Sequence, residues 1–260
     1  MLTFDQLVTE FQAIGVQAGD VLLVHSAYKS LGGVDGGPQT VIDALLHVLG
    51  EDGTLIMPTF NFDFCKGAPW DVNETPSHMG IITELVRKDP RSQRVFHPIY
   101  SFAVIGAQAG FLTAERYKSS YERKSLFGKL CRLDGKIMVV GLPYNDSMTF
   151  FHHVEEIEGV DYRYLKTFTG MITDENGKTY EDSFQMLVRD IEQGVETMVD
   201  PMGALAEEAG LITVAQIGQA KVSLMNANQI YDFTAREMRR DPKLLYRIVD
   251  EALTSGRQDV

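Results

Sequence analysis

His152 stands three residues before Glu155, and His153 three residues before Glu156, within SMTFFHHVEEIEGVDYRY at 147–164. On a helix, positions three apart are neighbours, so either pair sets an imidazole beside a carboxylate. A neutral imidazole can take a proton from an amine. A carboxylate beside it fixes the tautomer and supports the imidazolium that forms. Two other readings stay open. Histidines and acids are also metal ligands, although adjacent side chains point about 100° apart on a helix and zinc motifs space histidines four apart. A His-His-Val-Glu-Glu run is equally the polar face of an ordinary helix.

Asp146 and Ser147 follow the apolar run KIMVVGL at 136–142. Ligands of open α/β sheets gather beyond the carboxyl ends of such strands. A second candidate is the loop Lys29-Ser30-Leu31-Gly32-Gly33-Val34-Asp35-Gly36-Gly37, between VLLVHSA and TVIDALLHVLG. Backbone N–H groups and a helix N-terminus there can receive an anion. The loop lacks the Gly-Lys-Ser/Thr ending of a phosphate loop and the G-x-G-x-x-G fingerprint, and a tight glycine turn without a ligand explains it as well. Ser26 can bond a ligand or cap that turn. His97 precedes a proline and is extended, in the core or lining a cleft. The segment 117–132 carries Lys118, Arg123, Lys124, Lys129 and Arg132 against Glu122 alone, which suits an anionic ligand or a solvated face. Without a G-x-S-x-G elbow, a serine hydrolase is not expected.

The elements that must position these residues are legible as apolar runs. Thr3 and Gln6 make a capping box for a helix over 3–14. Residues 21–27, 40–50 and 53–60 read as a β-loop-α-β unit. The stretch 61–78 is irregular, MGIITELVRKD is helical, and SFAVIG and KIMVVGL are buried strands. Alternation around an Asn-Gly turn predicts a hairpin over 162–185. A helix at 202–209, strands at 211–216 and 219–225, and a helical tail from 228 follow. The expected fold is one α/β domain over residues 1–260, three-layer α/β/α, with a central mixed sheet and a β-hairpin insertion. Its 44% hydrophobic residues suffice for a sizeable core. The net charge of −12 argues against nucleic acid and suits cationic ligands such as amino sugars, or simple solubility. No apolar stretch reaches the roughly 18 residues of a membrane span, and the first residues lack a leader pattern. Cys65 and Cys131 are then expected to be reduced thiols of a cytoplasmic protein.

Four segments occur in a familiar order: VHSAYKSLGGVDGGPQTVIDALLHVLGEDGTLIMPTF, TPSHMGIITELVRKDPRSQRVFHPIYSFAVIG, SLFGKL with DGKIMVVGL, and DSMTFFHHVEE. The last fits Asp-Ser-x-Thr-x-x-His-x-x-Glu. Together they resemble the aminoglycoside 3-N-acetyltransferase family, antibiotic N-acetyltransferases that use acetyl-CoA, over roughly residues 4–160 and more loosely to 237. The resemblance implies that His152 is the catalytic base and Glu155 its partner. It implies direct transfer of the acyl group with no metal and no acyl-enzyme, Thr149 or a backbone N–H supporting the thioester oxyanion. Asp146 and Ser147 would line the site. Ser26, Lys29, Ser30, Leu31, Gly32, Gly36 and Gly37 would receive CoA, Ser125, Phe127 and Gly128 would flank it, and the basic run would meet its phosphates. Asp63, Asp71 and Glu74 are the acids that could hold the acceptor.

There are departures from the family pattern. Met148 replaces a polar residue, Phe127 stands where proline is common, and 61–78 is short. YRYLKTFTG looks more like members found with sugar and polysaccharide biosynthesis. The implied acceptor is an aminoglycoside at its 3-amino group, in antibiotic resistance, or a free or nucleotide-linked amino sugar bound for a glycan. The expected partners are that acceptor and acyl-CoA, without nucleic acid or membrane, and a homodimer is the candidate assembly. Two other function classes remain: a metal-dependent hydrolase built on His152, His153, Glu155 and Asp146, and a non-catalytic protein that binds CoA or a sugar.

Overall fold

A computed structural model describes residues 1–249. Helix α1 (Phe4–Ile14) begins at the expected capping box: Thr3 Oγ1 accepts from the Gln6 amide, and the Gln6 side chain accepts from the Thr3 amide. β1 (Val21–Ser26), α2 (Pro38–Leu49) and β2 (Thr54–Pro58) form the predicted crossover, with β1 and β2 parallel. β3 (Trp70–Asp71), α3 (Ile81–Lys88), β4 (Gln93–Arg94), β5 (Phe102–Gly106), α4 (Ala109–Thr113), α5 (Leu126–Arg132) and β6 (Lys136–Val140) follow. Then come α6 (Phe150–Glu158), β7 (Arg163–Thr173), β8 (Thr179–Arg189), β9 (Val195–Thr197), α7 (Asp200–Glu208), β10 (Ile212–Ile217), β11 (Ala220–Asn226), α8 (Ala227–Arg240) and β12 (Tyr246–Ile248).

The main sheet runs β10-β11-β6-β1-β2-β5-β4. Its centre, β6-β1-β2, is parallel and its flanks are antiparallel, so the sheet is mixed, as expected. The central strands are continuous apolar runs because both faces are covered. Leu23, Ile56, Val104, Ile137 and Val139 face one core, shared with α5, α6 and α8. Leu22, Leu55, Ile105, Met138 and Val140 face the other, shared with α1, α2 and α3. Two cores around one sheet give the three-layer arrangement.

The hairpin is longer than the alternation suggested. β7 and β8 stay in register from Arg163↔Arg189 to Thr173↔Thr179, around a turn where Asp174 Oδ1 accepts from the Asn176 and Lys178 amides. The stretch 61–78 is not wholly irregular. Trp70–Asp71 pairs with β7, making a three-stranded sheet, because the Trp70 ring is buried edge-on against Phe96. Two residues are too few for alternation to reveal such a strand.

Because β6, β1 and β2 run parallel, their carboxyl ends share one edge of the sheet. The loops leaving that edge are 27–37, 59–80 and 141–149. The chain leaves β1 for α2 on one face and β6 for α6 on the other. Neighbouring strands whose connections part in this way open a crevice between them.

Candidate active site

The two His/Glu pairs have different fates. His152 Nδ1 lies 2.5 Å from Glu155 Oε2. The Glu155 side chain is fully buried, whereas that of His152 is 16% exposed, so the imidazole opens outward from a carboxylate that solvent does not reach. Tyr162 Oη donates to Glu155 Oε1 at 2.8 Å, and Arg163 Nε stands 2.8 Å from Oε2. The Tyr121 ring meets the His152 ring edge-on at 5.5 Å. Burial lowers the His152 pKa, and the Arg163 charge lowers it further, against the pull of Glu155. Burial pushes Glu155 up. The charges of His152 and Arg163, with the hydrogen bonds from His152 and Tyr162, outweigh burial and hold the carboxyl below its ordinary value. The result is a neutral imidazole whose Nδ1–H donates to a carboxylate, leaving Nε2 as the proton-accepting nitrogen.

His153 turns the other way. Its Nδ1 is bonded to the Tyr121 carbonyl and its ring packs among Phe127, Phe150 and Tyr231. Glu156 accepts from the Ser119 hydroxyl at 2.6 Å. The second pair therefore ties α6 to the segment before α5. This overturns the reading of 149–157 as a solvated polar face, because Glu155 and His153 are both buried. It also divides the donors that the hydrolase reading needs. Among the described residues no three His, Cys, Asp or Glu side chains converge on a metal position.

Thr149 precedes α6, and its Oγ1 is buried without a hydrogen-bond partner. Ser147 is buried and donates to the Pro143 carbonyl at 2.8 Å, so it ties the turn, whereas Asp146 is exposed. The β1 and β6 loops meet: the Ala27 amide donates to the Val140 carbonyl at 2.9 Å, and any side chain at Gly141 would collide with Ser30 Oγ.

Residues 23–239 match the family described as aminoglycoside 3-N-acetyltransferase. The chain belongs to that family. It is similar to aminoglycoside N(3)-acetyltransferase IX of Micromonospora chalcea, 28% identical over 261 residues that cover 89% of this chain and 92% of the relative. Aminoglycoside acetyltransferase AAC(3)-Xa superposes with a TM-score of 0.82 at 26% identity, over 92% of this chain and 93% of that one. AAC-IIIb, solved as a binary complex with CoASH, shares the fold with a TM-score of 0.80 at 22% identity, over 92% and 96% of the two chains.

Seen as a member of the aminoglycoside 3-N-acetyltransferase family, the chain gathers some expected cofactor residues and internalises others. Ser26 is half-buried at the end of β1, and Lys29 is exposed on the 3-10 turn that follows. Ser30 Oγ donates to the Ala27 carbonyl at 2.6 Å. Ser30 also lines a cavity of about 400 Å³ with Gly141, Pro143, Tyr144 and Lys221. Leu31 is a core residue. Gly32, Gly36 and Gly37 have φ of 81°, 75° and 79°. Around Gly37, which enters α2, nothing lies within 4 Å of where a Cβ would stand. That bare backbone at a helix start is a cradle a ligand can approach.

Ser125, Phe127 and Gly128 have internal work. Ser125 Oγ caps α5, Phe127 packs on Phe102 and Phe150, and a Cβ on Gly128 would stand 2.2 Å from the Arg123 carbonyl. All three are buried. The basic run needs a correction. Lys129 is buried, and its Nζ donates to the Phe111 and Leu112 carbonyls at 3.3 and 3.0 Å, capping α4. Lys118 pairs with Asp182 at 2.5 Å. Arg123 and Lys124 remain exposed.

The acids of 61–78 do not form an open pair. Asp71 Oδ1 accepts from the Asn73 and Glu74 amides at 2.8 and 3.1 Å, while Asp63 lies 3.7 Å from His78 Nε2. Their segment reaches the dyad through ring contacts, Phe62 to Tyr100, Tyr100 to Tyr121 and Tyr121 to His152. His97 is a core histidine whose Nδ1 accepts from the Ile99 and Tyr100 amides. Tyr121, Tyr162 and Arg163 escaped the sequence reading. For Tyr162 and Arg163 the one signal was a tyrosine and an arginine closely following the His/Glu motif, in GVDYRY, and for Tyr121 there was none.

Proposed function

We propose that the chain transfers an acetyl group from acetyl-CoA to the 3-amino group of an aminoglycoside or related amino sugar, with His152 as general base. The buried Glu155 bonded to Nδ1 of a partly exposed His152 carries this reading. As the amine nitrogen bonds to the thioester carbon, its proton passes to His152 Nε2. The carbon–sulfur bond then breaks, and the thiolate takes that proton, giving the amide and free CoA. Glu155 holds the imidazole in the tautomer this needs and balances the imidazolium. The open backbone at Gly37, where α2 begins, fits the pyrophosphate of the donor, and a CoASH complex of the shared fold supports the same donor.

Thr149 Oγ1 fits the oxyanion donor, since an unpartnered buried hydroxyl costs about 1–3 kcal/mol and the transition state would supply its partner. Thr149→Val is expected to lower kcat about 10²-fold with KM and melting temperature nearly unchanged. A kcat equal to the unaltered protein would remove Thr149 from the mechanism.

One observation favours a negatively charged acceptor, such as a nucleotide-linked amino sugar. Asp71 is committed to its own turn, while Lys66 and exposed Lys166 of β7 both draw down the Cys65 thiol, which burial pushes up to about 11. One cation, Lys66, therefore lies within the segment from which acids were expected, and a second, Lys166, lies beside it. Thiol release from acetyl-CoA, with aminoglycosides and with free and nucleotide-linked amino sugars, decides the acceptor. Turnover with one class names it. CoA binding without turnover on any amine would overturn the proposed reaction, and no CoA binding would overturn the donor.

A further inference from the structure

A buried carboxylate beside a neutral imidazole is an uncompensated charge, which a protein interior disfavours. Such a pair ordinarily escapes by taking up a proton. Glu155 has another remedy. The guanidinium of Arg163 is buried with its Nε 2.8 Å from Oε2. Tyr162, the preceding residue, donates to the other oxygen. Both are anchored from outside the site. Arg163 Nη2 donates to Thr197 Oγ1 at 2.7 Å, and the Tyr162 ring stacks on Tyr246 at 3.9 Å. Thr197 and Tyr246 are register partners across β9 and β12. One residue pair of a remote ribbon thus holds both neighbours of the carboxylate.

We propose that Tyr162 and Arg163 form a clamp, supported by β9 and β12, in which Arg163 is a positioning residue that keeps Glu155 ionised and His152 neutral. The role of this clamp in turnover rests on the function proposed above, but its effect on His152 does not. The groups against His152 and Glu155 are Tyr162 and Arg163 at the start of β7 and Tyr121 before α5, with Tyr100 before β5 packed on Tyr121 and Tyr246 of β12 packed on Tyr162. Burial pushes Tyr121, Tyr162 and Tyr100 up, the last to about 12, so they stay neutral while His152 titrates. Arg163 is then the cation whose charge acts on both members of the pair. Its removal takes away a repulsion on the imidazolium and leaves Glu155 free to attract the proton, and both effects raise the His152 midpoint.

The test is the His152 imidazole titration by NMR, beside the pH profile of kcat/KM, in Arg163→Gln, Arg163→Lys and Tyr162→Phe. Arg163→Gln is expected to raise the His152 midpoint by about one pH unit or more and to move the acid limb of kcat/KM upward with it. Arg163→Lys keeps the charge and should restore most of the midpoint. Tyr162→Phe, which loses one hydroxyl, should shift it in the same direction by less. An unmoved midpoint in folded Arg163→Gln, with activity lost evenly across pH, would overturn the clamp. Should Arg163→Gln fail to fold, an unmoved midpoint in Tyr162→Phe would overturn it. The titration needs no turnover, so a chain inactive on every amine would sink the proposed function and leave this inference to its own result.

Discussion

Replacing His152 with alanine is expected to lower kcat by about 10²–10⁴-fold, with CoA affinity and folding stability close to those of the unaltered protein. The rate loss follows from the missing proton acceptor, because a protonated amine has no lone pair to attack the thioester. The unchanged stability follows from Arg163, whose charge still balances the Glu155 carboxylate when the imidazole is gone, and from Tyr162, which still donates to Oε1. Glu155→Gln should behave differently. It leaves Arg163 buried without its anion, so it should cost about 3–5 kcal/mol of stability as well as activity. Thiol-release kinetics, CoA titration calorimetry and urea unfolding separate the two. A His152→Ala protein turning over within threefold of the unaltered one would remove the base from the mechanism. Equal stability losses in the two variants would show that the carboxylate depends on His152 rather than on Arg163.

What was legible in the sequence follows from the range of each physical signal. Continuous apolar runs of five or six residues exposed the central strands, because burial on both faces leaves no polar position. Thr3 and Gln6 fixed the start of α1 because a capping box is local. The dyad was only half legible. His152/Glu155 and His153/Glu156 have identical spacing, so the residues alone could not rank them, and the family resemblance made the choice. The structure separates them through a contact distant in sequence, the Tyr121 carbonyl that takes His153. Arg163 read as a hairpin residue because its partner lies on a different element. Lys129 read as part of a basic surface, although it caps the carbonyls of a neighbouring helix from within the core. Where a charge is satisfied by a contact remote in the chain, composition misleads.

Three other buried histidines set how the fold responds to acid. Burial lowers His25 and His153 to about 4 and His97 to about 3. In the unfolded chain each takes up its proton near the ordinary 6.5. Between that value and about 4 the unfolded state therefore binds up to three protons that the native state refuses. Their contribution is fully present above pH 6.5 and is lost as pH falls, at up to about 4 kcal/mol per unit, or about 6 kcal/mol by pH 5. Against a typical total of 5–15 kcal/mol, that loss removes a large share of the stability while most ordinary carboxylates are still ionised. The lowered His152 acts in the same direction, and Glu155, held below its ordinary value, adds a further loss only at lower pH. Urea unfolding at pH 7, 6 and 5 measures the slope, and a stability that stays flat over that range would refute the account. His25 isolates one proton of the three. Its Nε2 is buried without a partner, so His25→Leu sacrifices no hydrogen bond at that atom. That variant should match the unaltered protein at pH 7 and exceed it at pH 5, by about 2 kcal/mol.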